Sequence, residues 1–170
     1  MSFLRKLNRL VKDMTAQKKL NIGVAYCKHH ESAGTYGGAT SSGDWRARTL
    51  NTLEGDTSFI SLSGNYFTLA PGKYAIEGFG PISRSDGCQS AIYNSTDGAI
   101  ESVGTGGTVP DANYVTSYAM AYVDIAIPKA YGFFYRTGSS SGGGDAIRAL
   151  GFANVWTTEV YAQVKITKLA

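Results

Sequence analysis

His29 and His30 stand side by side and are the only histidines in 170 residues. On an extended strand they point to opposite faces, so they cannot easily share one metal ion. In a trimer, one of them could line the threefold axis and supply three imidazoles; the plainer expectation is a polar strand end. Cys27 and Cys88 read as small buried apolar residues, and a disulfide would require them to be neighbours in space. No His-Glu-x-x-His, Cys-x-x-Cys or phosphate loop is present, and no Gly-x-Ser-x-Gly elbow precedes a helix. The glycines at 104–107 and 142–144 lack a following helix and lysine, so they read as loops. We therefore expect no enzyme, no metal and no cofactor. Asn94-Ser95-Thr96 fits a glycosylation acceptor pattern, and it lies where turn chemistry is needed anyway. Surface recognition would fall to loops that combine aromatic rings with polar groups. The candidates are Tyr36, Arg84, Asp86, Asp111, Asn113 and Tyr114.

These residues are carried by elements with two different periods. Residues 2–15 read as a short amphipathic helix, with Phe3, Leu4, Leu7, Leu10, Val11 and Met14 forming one apolar stripe. From residue 21 the pattern alternates, as in strands. The first strand, residues 21–30, places Ile22, Val24 and Tyr26 on one face. Strands are expected at 45–52, 59–62, 66–69, 74–83, 89–94, 99–103, 114–128, 131–137 and 156–168. Ser63-Gly64-Asn65, Ala70-Pro71-Gly72-Lys73 and Ser95-Thr96-Asp97-Gly98 are the expected turns. In the last strand Val160, Ala162, Val164 and Ile166 are expected inward, and Tyr161 outward. The central strands are apolar on both parities. We expect the outward aromatic set, Tyr74, Ile76, Tyr118, Met120, Tyr122, Phe133, Tyr135 and Tyr161, to meet neighbouring subunits.

Composition agrees with a strand-rich chain. There are 21 glycines, 11 tyrosines and only 4 prolines, and 43% of residues are hydrophobic. This describes an all-β sandwich or barrel of about ten short antiparallel strands and argues against a helical bundle. The net charge of +3 is unevenly distributed. Residues 1–20 hold six basic side chains against Asp13, while the remainder is slightly acidic, so a basic nucleic-acid binder is not expected. No apolar run is long enough for a membrane-spanning helix. We divide the chain into an arm, 1–20, and a domain, 21–170.

The stretch Phe67-Thr68-Leu69-Ala70-Pro71-Gly72-Lys73-Tyr74-Ala75-Ile76 resembles the complement-q and tumour-necrosis-factor-like jelly rolls. Gly43-Asp44-Trp45-Arg46-Ala47-Arg48-Thr49-Leu50-Asn51-Thr52, Ala91-Ile92-Tyr93-Asn94-Ser95-Thr96-Asp97-Gly98 and Thr158-Glu159-Val160-Tyr161-Ala162-Gln163-Val164-Lys165-Ile166 are similar to the C-terminal domains of bacteriophage tail fibres and other virion fibres. The resemblance implies a ten-stranded jelly roll, usually a homotrimer, that sits on a virion assembled in the host cytoplasm. It implies contact with a host-surface glycan or protein, and attachment to another virion protein (capsid, tail or adaptor) through residues 1–20. A capsid-decorating or tail-connecting peg without receptor binding is the alternative. So short an arm fits a small peg better than a long reaching fibre.

Overall fold

The computed structural model describes residues 22–140, 147–154 and 157–169; for residues 84–85 and 109–113 it describes the backbone alone. The expected helix at 2–15, with its stripe Phe3, Leu4, Leu7, Leu10, Val11 and Met14, lies outside the described residues.

Nine strands are described: β1 Gly23–Glu31, β2 Arg46–Ala47, β3 Thr52–Gly55, β4 Ile60–Ser63, β5 Tyr66–Leu69, β6 Gly72–Asn94, β7 Ala99–Ile125, β8 Lys129–Thr137 and β9 Glu159–Lys168. They form two antiparallel sheets joined by the long β6–β7 hairpin. In sheet one, β3, β1 and β9 are followed by the first part of β6, where Tyr74–Phe79 pairs with β9. In sheet two, β4, β5 and β8 are followed by the second part of β6, where Cys88–Asn94 pairs with β8; β2 also lies against β8.

The glycines at 104–107, expected in a loop, belong to β7 instead. The reason is close approach rather than looseness. A Cβ on Gly104 would lie 1.8 Å from the Tyr118 carbonyl oxygen, because β7 bends and passes close to itself there. Only glycine permits that contact. Four register shifts along β6–β7 accompany the change of sheet.

The two sheets enclose one main core. Ala25, Cys27, Phe67, Leu69, Tyr74, Ile76, Tyr131, Phe133, Val164 and Ile166 are among its members. A smaller cluster at one end joins Ile82, Cys88, Tyr135 and Leu150. Turn chemistry follows expectation at Gly64-Asn65, where Gly64 has φ +56°, and at 95–98.

The faces of β1 agree with expectation and those of β9 differ. In β1 the buried parity is Gly23, Ala25, Cys27 and His29, so Val24 and Tyr26 line the outer face. In β9 a bulge sets His29 opposite Ala162 and His30 opposite Val160, which leaves Tyr161 as the extra residue. The bulge reverses the alternation, so Tyr161 turns inward and Val160 is 50% exposed.

Candidate functional site

The residues that first drew attention for chemistry serve the fold. His29 is buried; its Nε2 lies 3.1 Å from Glu31 Oε1, and its ring meets Tyr161 edge-on at 5.5 Å. Burial lowers its pKa below the ordinary value; Glu31 acts in the opposite direction, and the Arg48 charge adds to the lowering. The His30 side chain lies on the other face, and its amide donates to Asn51 Oδ1. Among the described residues no group of three metal-ligating side chains occurs. Cys27 and Cys88 are free thiols, both buried, and burial pushes Cys27 up to about 12. Asn94 is only 2% exposed, and its amide donates to Asp97 and Glu101. It is a turn residue, closed to modification in the folded state.

One buried charge organises an end of the sandwich. Arg48 is 1% exposed, and burial pushes its guanidinium down to about 10. Nη1 donates to the Pro81 carbonyl at 3.0 Å; Nη2 donates to the carbonyls of Leu150 and Tyr161 at 3.0 and 3.2 Å. Strand β6, the 147–154 segment and the β9 bulge are thus tied to one side chain. Gly80 permits this, since a Cβ there would lie 3.1 Å from Arg48 Nη2. Buried Glu159 ties the neighbouring turns by accepting from the amides of Asn154 and Gly34.

On this base two segments lie against each other. The amides of Gly34, Gly37 and Gly38 donate to the carbonyls of Asn154, Gly151 and Ile147, and the Leu150 amide donates back to Gly38. The result is an aromatic and arginine cluster. The Arg148 guanidinium lies 4.8 Å from the Tyr36 ring centre and 5.1 Å from that of Phe152, and the two rings meet edge-on at 5.7 Å. The Tyr114 hydroxyl donates to the Arg148 carbonyl at 2.7 Å. Phe152, Ile147 and Tyr114 remain exposed. Aromatic rings around arginine are the composition enriched where binding energy concentrates.

Of the six expected contact residues, Tyr36 and Tyr114 come together here. Asp86 lies elsewhere, with its amide donating to Ser139 Oγ. Arg84, Asp111 and Asn113 occupy strand positions in β6 and β7, not loops, and their side chains lie outside the described set. Arg148 and Phe152 were missed. Their four-residue spacing was the available signal, in a segment assigned to no element.

The expected outward aromatic set divides. Tyr74, Ile76 and Phe133 lie in the main core, Tyr135 in the end cluster, and Tyr161 is buried at the bulge. Each is covered within a single chain, because the opposite sheet or the adjacent turns pack over it. Tyr118, Met120 and Tyr122 do face outward from sheet one. Strand register places Tyr26, Lys165, Glu77 and Met120 in one row across that face. The next row holds Phe79 and Tyr118, and the row on the other side holds Ala75 and Tyr122. Tyr122 is 62% exposed, Met120 55% and Phe79 39%. Ion pairs between Lys165 and Glu77 and between Lys73 and Asp124 cross the face.

No family model matches the sequence, and no curated protein matches it. Solved structures do. Murine APRIL, crystallised at pH 5.0, aligns over 88% of this chain and 100% of its own with TM-score 0.55 and 10% identity. The globular domain of zebrafish complement 1qA aligns over 89% and 98% with TM-score 0.50 and 10% identity. The fold is the jelly roll of these proteins.

Proposed function

We propose that the chain is a homotrimeric virion fibre protein whose jelly roll binds the host cell surface. The observation that carries this reading is the outer face of sheet one. Tyr122, Met120, Phe79 and Tyr118 form an apolar patch on a paired sheet, crossed by ion pairs that can set register between copies. Sister chains covering it leave the loop-end cluster of Tyr36, Arg148, Phe152 and Tyr114 free for a receptor. Three copies would bind multivalently, so a weak single contact suffices. Residues 1–20 attach the trimer to a capsid, tail or adaptor protein through the Phe3-to-Met14 stripe. The virion resemblance of the Trp45–Thr52 and Thr158–Ile166 blocks supports that setting.

Light scattering on the full chain tests assembly. Three times 18.1 kDa is expected, and Met120→Lys with Tyr122→Lys should give monomer with an unchanged circular dichroism spectrum. A wild-type monomer refutes the trimer. Soluble protein should block particle adsorption, and Phe152→Ala should weaken that block; a blockade absent in the wild type leaves the structural peg in its place.

A further inference from the structure

We infer that the outer face of sheet two is a separate binding site for an acidic oligosaccharide. This inference extends the host-surface reading by naming a ligand class, and it concerns a face that the proposed trimer leaves open.

Strand register constructs the site. Across β6 and β8 the pairs Gln89–Arg136, Ala91–Phe134 and Tyr93–Gly132 succeed one another on the outward side. The rows run four residues, about 13 Å at ~3.3 Å per residue. One end is aromatic. Phe134 lies 4.5 Å from Tyr93 and 6.2 Å from Tyr66, ring centre to ring centre. The rings lie low because their neighbours are small. Ala47 and Ala91 flank Phe134, and a Cβ on Gly132 would come within 2.7 Å of the Phe134 ring and 3.3 Å of the Tyr66 ring. Phe134 is itself buried at 7% exposure and backs the platform, while Tyr66, exposed, and Tyr93, half-buried, offer ring surface and two hydroxyls.

The other end is polar. Gln89 and Arg136 enter a groove of about 400 Å³ shared with Gly43, Gly87, Thr137 and Gly138. Gln89 Nε2 donates to the Gly104 carbonyl, which fixes the amide and leaves its oxygen as an acceptor. Arg136 is exposed, and among the described residues its side chain has no hydrogen-bond or ion-pair partner. A partly exposed tyrosine pair joined to an amide acceptor and an unpaired guanidinium matches a sugar ring with a C–H face, hydroxyls and a carboxylate. A protein partner would need roughly 800 Å² of complementary surface, and two partly exposed rings beside an open groove offer a smaller target. The length of the rows suits a short oligosaccharide.

The test is a glycan array of neutral, uronic-acid-bearing and sialic-acid-bearing oligosaccharides, probed with the labelled full chain. Retained acidic glycans are then titrated calorimetrically. Tyr93→Ala and Arg136→Gln should each raise Kd at least tenfold, while Phe152→Ala leaves it unchanged. Arg136→Gln alters an exposed side chain, so an unchanged melting curve separates lost contact from lost fold. No acidic glycan retained, or a retained glycan indifferent to both substitutions, overturns the inference, and so does a host protein bound through this face in its place. Light scattering and adsorption blocking on the same samples report the trimeric fibre reading independently.

Discussion

Replacing Arg48 by methionine tests whether one buried cation holds the loop end together. The side chain is fully buried and its pKa has fallen from 12.5 to about 10. At about 1.4 kcal/mol per pKa unit, keeping the charge inside costs roughly 3 kcal/mol. Against this stand three hydrogen bonds to the Pro81, Leu150 and Tyr161 carbonyls. Charged donors contribute about 1.5–3 kcal/mol each, hence roughly 5–9 kcal/mol together. Methionine removes both contributions and keeps most of the volume, so the net loss is about 2–6 kcal/mol. Urea unfolding of the wild type and Arg48→Met, with matched m-values, reads the difference directly. Hydrogen exchange should show the amides of Gly34, Gly37, Gly38 and Leu150 losing protection first, because their loops rest on this side chain. A change under ~1 kcal/mol, or a stabilisation of the kind seen when hydrophobic residues replace buried ions, would refute the reasoning.

Two further outcomes follow from single residues. Gly104→Ala should fail to fold or lose more than ~3 kcal/mol, since its Cβ would overlap backbone on the same strand; a soluble variant with wild-type urea midpoint contradicts the bend. His29 should make stability depend on pH. Its folded pKa is lowered below 6.5 by burial, so the unfolded chain takes up the proton first. That contribution is complete above about pH 6.5 and is lost as pH falls through the folded pKa. His29→Gln should flatten the slope of the urea midpoint between pH 7 and 5, and an unchanged slope assigns the effect elsewhere.

Much of the strand content was legible. The hairpins at Gly64-Asn65 and Ser95–Gly98 were readable because turn residues act over four positions. The expected β8, Tyr131–Thr137, falls inside the observed Lys129–Thr137. The glycines at 104–107 misled the reading, since glycine marks a loop and a close backbone approach with the same letter. The outward aromatic set was half legible. Alternation separates two faces but does not say which one the other sheet covers, so Tyr74, Ile76 and Phe133 were expected outward and lie in the core.

By itself the amino-acid order determined the all-β class, the turn positions, the separate charge of residues 1–20 and the lack of a nucleophile elbow or zinc motif. These are properties of neighbouring residues and of period, which the chain carries wherever it goes. Tertiary structure decided the rest. The β9 bulge turned Tyr161 inward and placed it under Thr35, whose carbonyl accepts from the Tyr161 hydroxyl. Pairing of residues 34–38 with 147–154 put Tyr36 beside Arg148. The β6–β8 register laid Tyr93 against Phe134 and set Gln89 next to Arg136. Those contacts join positions about 40 to 125 residues apart, where loop closure and register are settled by the whole packed sandwich and no local pattern records them.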